Sequence, residues 1–182
     1  MNMYYLYDKN GKCNCKVYHT RRTEHVKNLF HPVYYIIVYN EKHDILLKRK
    51  YVKKKSTKWD FAIMGQPSTN EKLQDCLTAL PFEEIGTFID LSKFEYAEDI
   101  IDEDRGEWCT IVFAYDNHPI DYYFSDQVGI DEYGFASIDE LTELLYSSDF
   151  APHSNKFKED IIKIIKNKFN ELNTRQKFIP LG

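Results

Sequence analysis

Residues 59–86 read WDFAIMGQPSTNEKLQDCLTALPFEEIG, and three local signals succeed one another along them. Trp59 to Met64 has the bulky apolar content of a short strand, and Gly65-Gln66-Pro67-Ser68-Thr69-Asn70 has loop chemistry. From Glu71 to Leu80 the residues Leu73, Cys76, Leu77 and Leu80 recur at helical spacing. Gly86 marks a helix stop, because glycine enters the left-handed conformation without a Cβ penalty. Pro81 lacks an amide hydrogen and its ring crowds the carbonyl of Leu77, so a kink or restart of the helix is expected there.

Upstream, Tyr4-Tyr5-Leu6-Tyr7 and Cys15-Lys16-Val17-Tyr18 flank Asp8-Lys9-Asn10-Gly11, which predicts a hairpin within residues 1–20. Residues 32–39 are apolar on both faces and read as a central strand, and Ile45 to Arg49 returns after a turn. Lys48, Arg49, Lys50, Lys53, Lys54, Lys55 and Lys58 form the one cationic cluster of an acidic chain. Taken alone such a run reads as a solvated loop; beside a glycine loop and a helix start it also reads as a grip for phosphates.

Downstream, strands are expected at 94–97, 108–115 and 122–124, with the acidic run Glu98 to Asp104 as an exposed turn. Ser137-Ile138-Asp139-Glu140 has the form of a capping box. Phe157, Ile161, Ile164, Ile165, Phe169 and Leu172 predict a long helix over 154–172.

A length of 182 residues suits one domain, 1–182, with a single core. The net charge of −5 argues against general nucleic-acid binding, so any phosphate site is local. No apolar run is long enough to span a membrane, and the first residues lack the basic-then-apolar order of a secretory signal, which leaves the cytoplasm as the expected location. Cys76 and Cys109 sit in apolar surroundings and read as core thiols. Cys13, Cys15, His19 and His25 are a poor match to structural zinc spacing.

The stretch Gly65-x5-Glu71-x7-Ala79-Leu80-Pro81-Phe82-Glu83-Glu84-Ile85-Gly86 resembles the Nudix box, G-x5-E-x7-R-E-U-x-E-E-x-G-U, where U is a bulky aliphatic. Gly65, Glu71, Glu83, Glu84 and Gly86 are in register, while Ala79, Leu80, Pro81 and Thr87 depart from the pattern. The resemblance implies an α/β (α+β) Nudix fold, a mixed β-sheet sandwiched between helices. It also implies a small-molecule diphosphate as ligand and Mg²⁺ or Mn²⁺ as cofactor. A diphosphate is a polyanion, and water attacks it once a hard cation neutralises its oxygens. Glutamates three and four apart share a helix face and hold such ions together. Glu83 and Glu84 are therefore the expected metal ligands, with Glu71 supporting them. Leu80, in place of a third, has no oxygen to offer.

Residues 4–90 further resemble the isopentenyl-diphosphate-isomerase-like branch, through Leu6 to Gly11, Arg22-Thr23-Glu24-His25, Phe30-His31, Tyr35 to Asn40 and Lys58-Trp59-Asp60. Residues 134–141 continue that resemblance. The branch implies metal roles for His25, His31 and Glu107, with Arg105 where a further Glu would lie. Isomerases of the branch carry Cys-Gly-His around the box glycine. Met64-Gly65-Gln66 has neither an exchangeable thiol proton nor an imidazole, so isomerisation is not expected. Arg49, Lys50, Lys54 and Gly65 are the expected diphosphate contacts, and Asp126 or Asp131 could supply a late carboxylate. Three readings follow: a slow metal-assisted hydrolase of an organic diphosphate, a binding module that has lost turnover, and a partner-binding domain.

Overall fold

The computed structural model describes residues 3–18, 28–52, 55–67, 71–124 and 130–177. The first two strands, β1 (Met3–Tyr7) and β2 (Cys13–Tyr18), form an antiparallel hairpin. Its turn is held by Asp8 Oδ1, which accepts from the amides of Asn10 and Lys12 at 2.9 and 3.0 Å.

A seven-stranded mixed sheet follows. Its strands are β3 (His31–Tyr39), β4 (Ile45–Val52), β5 (Lys55–Phe61), β6 (Ile63–Gly65), β7 (Phe94–Asp102), β8 (Glu107–Tyr115) and β9 (Ile130–Ala136). The order is β5-β4-β3-β8-β7, with β6 also on β3 and β9 also on β4. β3 and β8 run parallel, from His31 beside Glu107 to Tyr39 beside Tyr115.

β3 is buried on both faces because successive side chains alternate between two layers. Val33, Tyr35, Ile37 and Tyr39 pack with Phe61, Phe157, Ile161 and Ile165. Ile36 and Val38 pack with Leu46, Ala62, Leu77 and Ile85. The second set lies under α1 (Leu73–Ile85); the first lies under α2 (Ile138–Leu145) and α3 (Asn155–Lys177). Each buried Ile or Leu of these layers contributes roughly 1.5–3 kcal/mol over leaving it exposed.

Several expectations are corrected. α1 passes through Pro81 as one helix and reaches Ile85, because Cys76, Leu77, Pro81 and Ile85 are all buried on its inner side and packing holds both halves in line. It ends at Gly86, whose φ of 71° lets its amide donate to the carbonyl of Phe82 at 3.0 Å. The basic segment is a strand pair, β4 and β5, rather than a loop. Residues 120–122 form a 3₁₀ turn, and the strand expected at 122–124 is instead β9, further along.

The acidic run is mostly strand: β7 continues to Asp102, which is fully buried, and only residues 103–106 turn. Burial of that carboxylate is compensated by His153 and the amide of Ser154. The final helix begins at Asn155, after Ser154, and runs five residues past 172. Ser137 and Glu140 form the expected capping box, and Cys76 and Cys109 are buried as expected.

Candidate active site

Lys48 on β4 lies directly opposite Asp60 on β5 and Tyr133 on β9, so the three stand in a row on one face of the sheet. Lys58, two residues before Asp60 and beside the irregularity in the β4–β5 register, lines the same cleft. Over the row lies the end of α1. The Lys48 ammonium donates to the Glu84 carboxylate, and the Tyr133 hydroxyl donates to the Glu84 backbone carbonyl at 2.9 Å. The Lys48 side chain is 5% exposed and that of Glu84 17%.

The segment after α2 closes the outer side. The Trp59 amide donates to the carbonyl of Asp149 and the Ala151 amide to that of Trp59, at 2.8 and 2.7 Å. This pairing brings Ala151 and Pro152 against Lys48, Lys58, Asp60, Met64 and Glu84 around a cleft of about 430 Å³.

The expected metal residues divide between two sides of α1. Neighbours on a helix point about 100° apart, so Glu84 faces Lys48 while Glu83 is exposed. Glu71 stands beside Cys76, whose thiol is pushed up to about 12 by burial first and then by the Glu71 carboxylate, with a smaller effect from Glu83. Leu80 covers Gly65: a Cβ on that glycine would lie 2.1 Å from Leu80 Cδ2. Among the described residues no group of three His, Cys, Asp or Glu side chains is arranged to hold a metal ion. With Glu84 paired to an ammonium and Leu80 lacking an oxygen, the box does not fit a resident Mg²⁺ or Mn²⁺ cluster.

Arg49 turns to the opposite face from Lys48, its guanidinium 4.8 Å over the Trp59 ring and paired with Glu132. His25, Lys54, Asp126 and the side chains of Lys50 and Asp131 lie outside the described residues.

His31 and Glu107 do come together, 3.9 Å apart, as neighbours on β3 and β8. The Glu107 carboxylate is otherwise engaged, since it accepts from Tyr35 Oη at 2.6 Å and from Arg105 Nε at 3.0 Å. A guanidinium thus stands where the resemblance implied a cation. Burial pushes the Glu107 carboxyl up, only partly offset by Arg105 and Tyr35.

Arg105 Nη1 also reaches Asp60 Oδ2 and His153 Nε2, each at 3.3 Å. His153 Nδ1 is 2.6 Å from Asp102 Oδ2. Burial alone would lower the His153 pKa, but its hydrogen bonds to Asp102 and Asp60 outweigh burial and raise it. Burial would raise Asp102, but His153 and the Ser154 amide bring it below its ordinary value. Asp60 is the member of this network that also lines the cleft.

Asp60, Asp102, Tyr133 and His153 were not legible as site residues. Reading the basic run as a regular hairpin with Val52 opposite Lys55 would have placed Lys48 opposite Trp59; the register shift between Arg49 and Tyr51 moves it by one residue, to Asp60. No local signal announces His153.

No protein-family model matches the sequence, and no curated protein matches it significantly. Solved structures do resemble the fold. The protein DR0079 of Deinococcus radiodurans superposes with a TM-score of 0.67 at 10% identity, covering 91% of this chain and 98% of that one. An Ap4A hydrolase of C. elegans gives 0.54 at 11% identity, over 78% of this chain and 98% of that one. A MutT protein from Methanosarcina mazei Go1 gives 0.53 at 18% identity, over 76% and 94%. With a mixed sheet between α1 on one face and α2 and α3 on the other, and these structures alike in backbone, the chain has the Nudix fold.

Proposed function

We propose that this chain is a slow Nudix-type pyrophosphohydrolase of an organic diphosphate, which it holds in the cleft between β4, β5 and the end of α1. The observation that carries the reading is Lys48: an ammonium 5% exposed, on the cleft wall, at the carboxylate-bearing end of the box helix. In a partly dry site a cation attracts phosphate far more strongly than on an open surface. Lys58 meets the phosphates together with Lys48, which exchanges its contact with Glu84 for them, and Tyr133 fixes the helix end over them. The likeness in fold to an Ap4A hydrolase and a MutT protein supports this class of reaction. Leu6 to Gly11, Phe30-His31, Tyr35 to Asn40 and Lys58-Trp59-Asp60 support a place in the isopentenyl-diphosphate-isomerase-like branch, and Met64-Gly65-Gln66 argues against the isomerase chemistry.

A second reading, binding without turnover, is favoured by Leu80 lying on Gly65 and by the Lys48–Glu84 pair, which leave the box with no metal-holding set among the described residues. The two separate in an assay of phosphate and nucleotide release from a panel of organic diphosphates with Mg²⁺ or Mn²⁺ and with a chelator. Slow release that disappears in Glu84→Gln supports the hydrolase. Tight binding with no release, and release gained in Leu80→Glu, supports the binding module.

A further inference from the structure

Lys48 and Lys58 suit an anionic ligand; Asp60 does not. A carboxylate beside a phosphate site repels the phosphates unless its charge is compensated and its oxygens have another task. Compensation is present: Arg105 Nη1 lies 3.3 Å from Oδ2, and His153 Nε2 lies 3.5 Å from Oδ1. The orientation is fixed as well, because Oδ1 accepts from the Phe61 amide at 2.9 Å. A carboxylate has about four lone-pair sites, and these contacts engage three of them. The side chain is 17% exposed, and that exposure falls in the cleft, against the apolar walls of Met64, Ala151 and Pro152.

We propose that Asp60 is a specificity residue: its remaining lone pair accepts a hydrogen bond from an O–H or N–H group on the organic part of the ligand, next to the diphosphate. The cleft then prefers diphosphate esters that carry such a donor over diphosphate esters of plain hydrocarbon alcohols. A hydrocarbon ligand would leave the buried acceptor without a partner, and that loss is what discriminates. The inference rests on the proposed function in so far as the cleft is the diphosphate site. Arg105 and His153 act through Asp60 as positioning residues.

The test is calorimetric titration of the full chain, in chelator to prevent turnover, with inorganic diphosphate, ADP, 2′,3′-dideoxy-ADP and isopentenyl diphosphate. Wild type is expected to bind ADP at least about tenfold more tightly than isopentenyl diphosphate. Asp60→Asn is expected to weaken ADP about 10- to 100-fold, the range of a hydrogen bond to a charged group, and to leave the other two non-nucleoside probes within about twofold. Dideoxy-ADP identifies the donor: a loss matching that of Asp60→Asn assigns the ribose hydroxyls, and full affinity assigns the base. Equal binding of ADP and isopentenyl diphosphate overturns the inference. So does an Asp60→Asn variant that weakens every ligand alike, which is the signature of a merely structural residue; a thermal melt of the variant checks its folding. Absence of binding by inorganic diphosphate overturns the cleft reading itself, and the inference with it.

Discussion

Lys48 and Glu84 are the pair on which the site turns. Removing one partner of an enclosed ion pair leaves the other charge uncompensated, at a cost of about 3–5 kcal/mol when fully buried and less here, where Glu84 keeps some contact with solvent. Lys48→Met and Glu84→Gln are each expected to destabilise the protein, and the double variant to destabilise it less than their sum. The coupling expected from denaturant unfolding is about 1–3 kcal/mol. A second residue-scale contact is Leu80 on Gly65. Gly65→Ala forces Leu80 to move and is expected to cost about 1–3 kcal/mol, much of it recovered in Gly65→Ala/Leu80→Ala. Glu71, Glu83 and Glu84 were legible as a motif, but the sequence does not say that Glu84 meets an ammonium from another strand. That contact depends on the register of β4 beneath α1, which is set by packing.

Among the elements, α1 shows what local rules catch and what they miss. Its stop at Gly86 follows from sequence, and the structure adds a reason for it: a Cβ there would lie 2.4 Å from the Phe124 carbonyl oxygen in addition to the positive φ. Gly86→Ala therefore meets both backbone strain and a backbone clash. It is expected to lower stability by roughly 2–4 kcal/mol in chemical denaturation, well beyond a simple glycine-to-alanine change in the left-handed region. The passage of the helix through Pro81 could not be read locally, because burial of Pro81 and its neighbours overrides the lost amide. The continuation of β7 beyond Ala97 was missed for a related reason. Asp102 looks like turn chemistry until His153, 51 residues away, supplies its partner. The central strand β3 was legible because an apolar run needs no distant partner to be recognised.

At the scale of the whole molecule, the buried network around Asp60 ties the cleft to the core and makes stability depend on pH. The folded His153 pKa is raised, so its contribution is fully present below about pH 6.5 and is lost as pH rises through the folded value. Asp102 is lowered, so its contribution is present above about pH 4 and is lost as pH falls through its folded value. Between those limits both act. The melting temperature is expected to fall between about pH 6 and pH 9, and His153→Gln to melt lower with that fall flattened. A wild-type melting temperature unchanged over that range would contradict this account of the network.

The central claim is that the chain's own Lys48 supplies the cation at the diphosphate site. Calorimetric titration of inorganic diphosphate into wild type and Lys48→Met, with and without Mg²⁺, tests it most directly. The expected result is binding to wild type without Mg²⁺, weakened at least about tenfold in Lys48→Met, as for the loss of a charge-assisted contact. Binding that requires Mg²⁺ and is indifferent to Lys48→Met would contradict it.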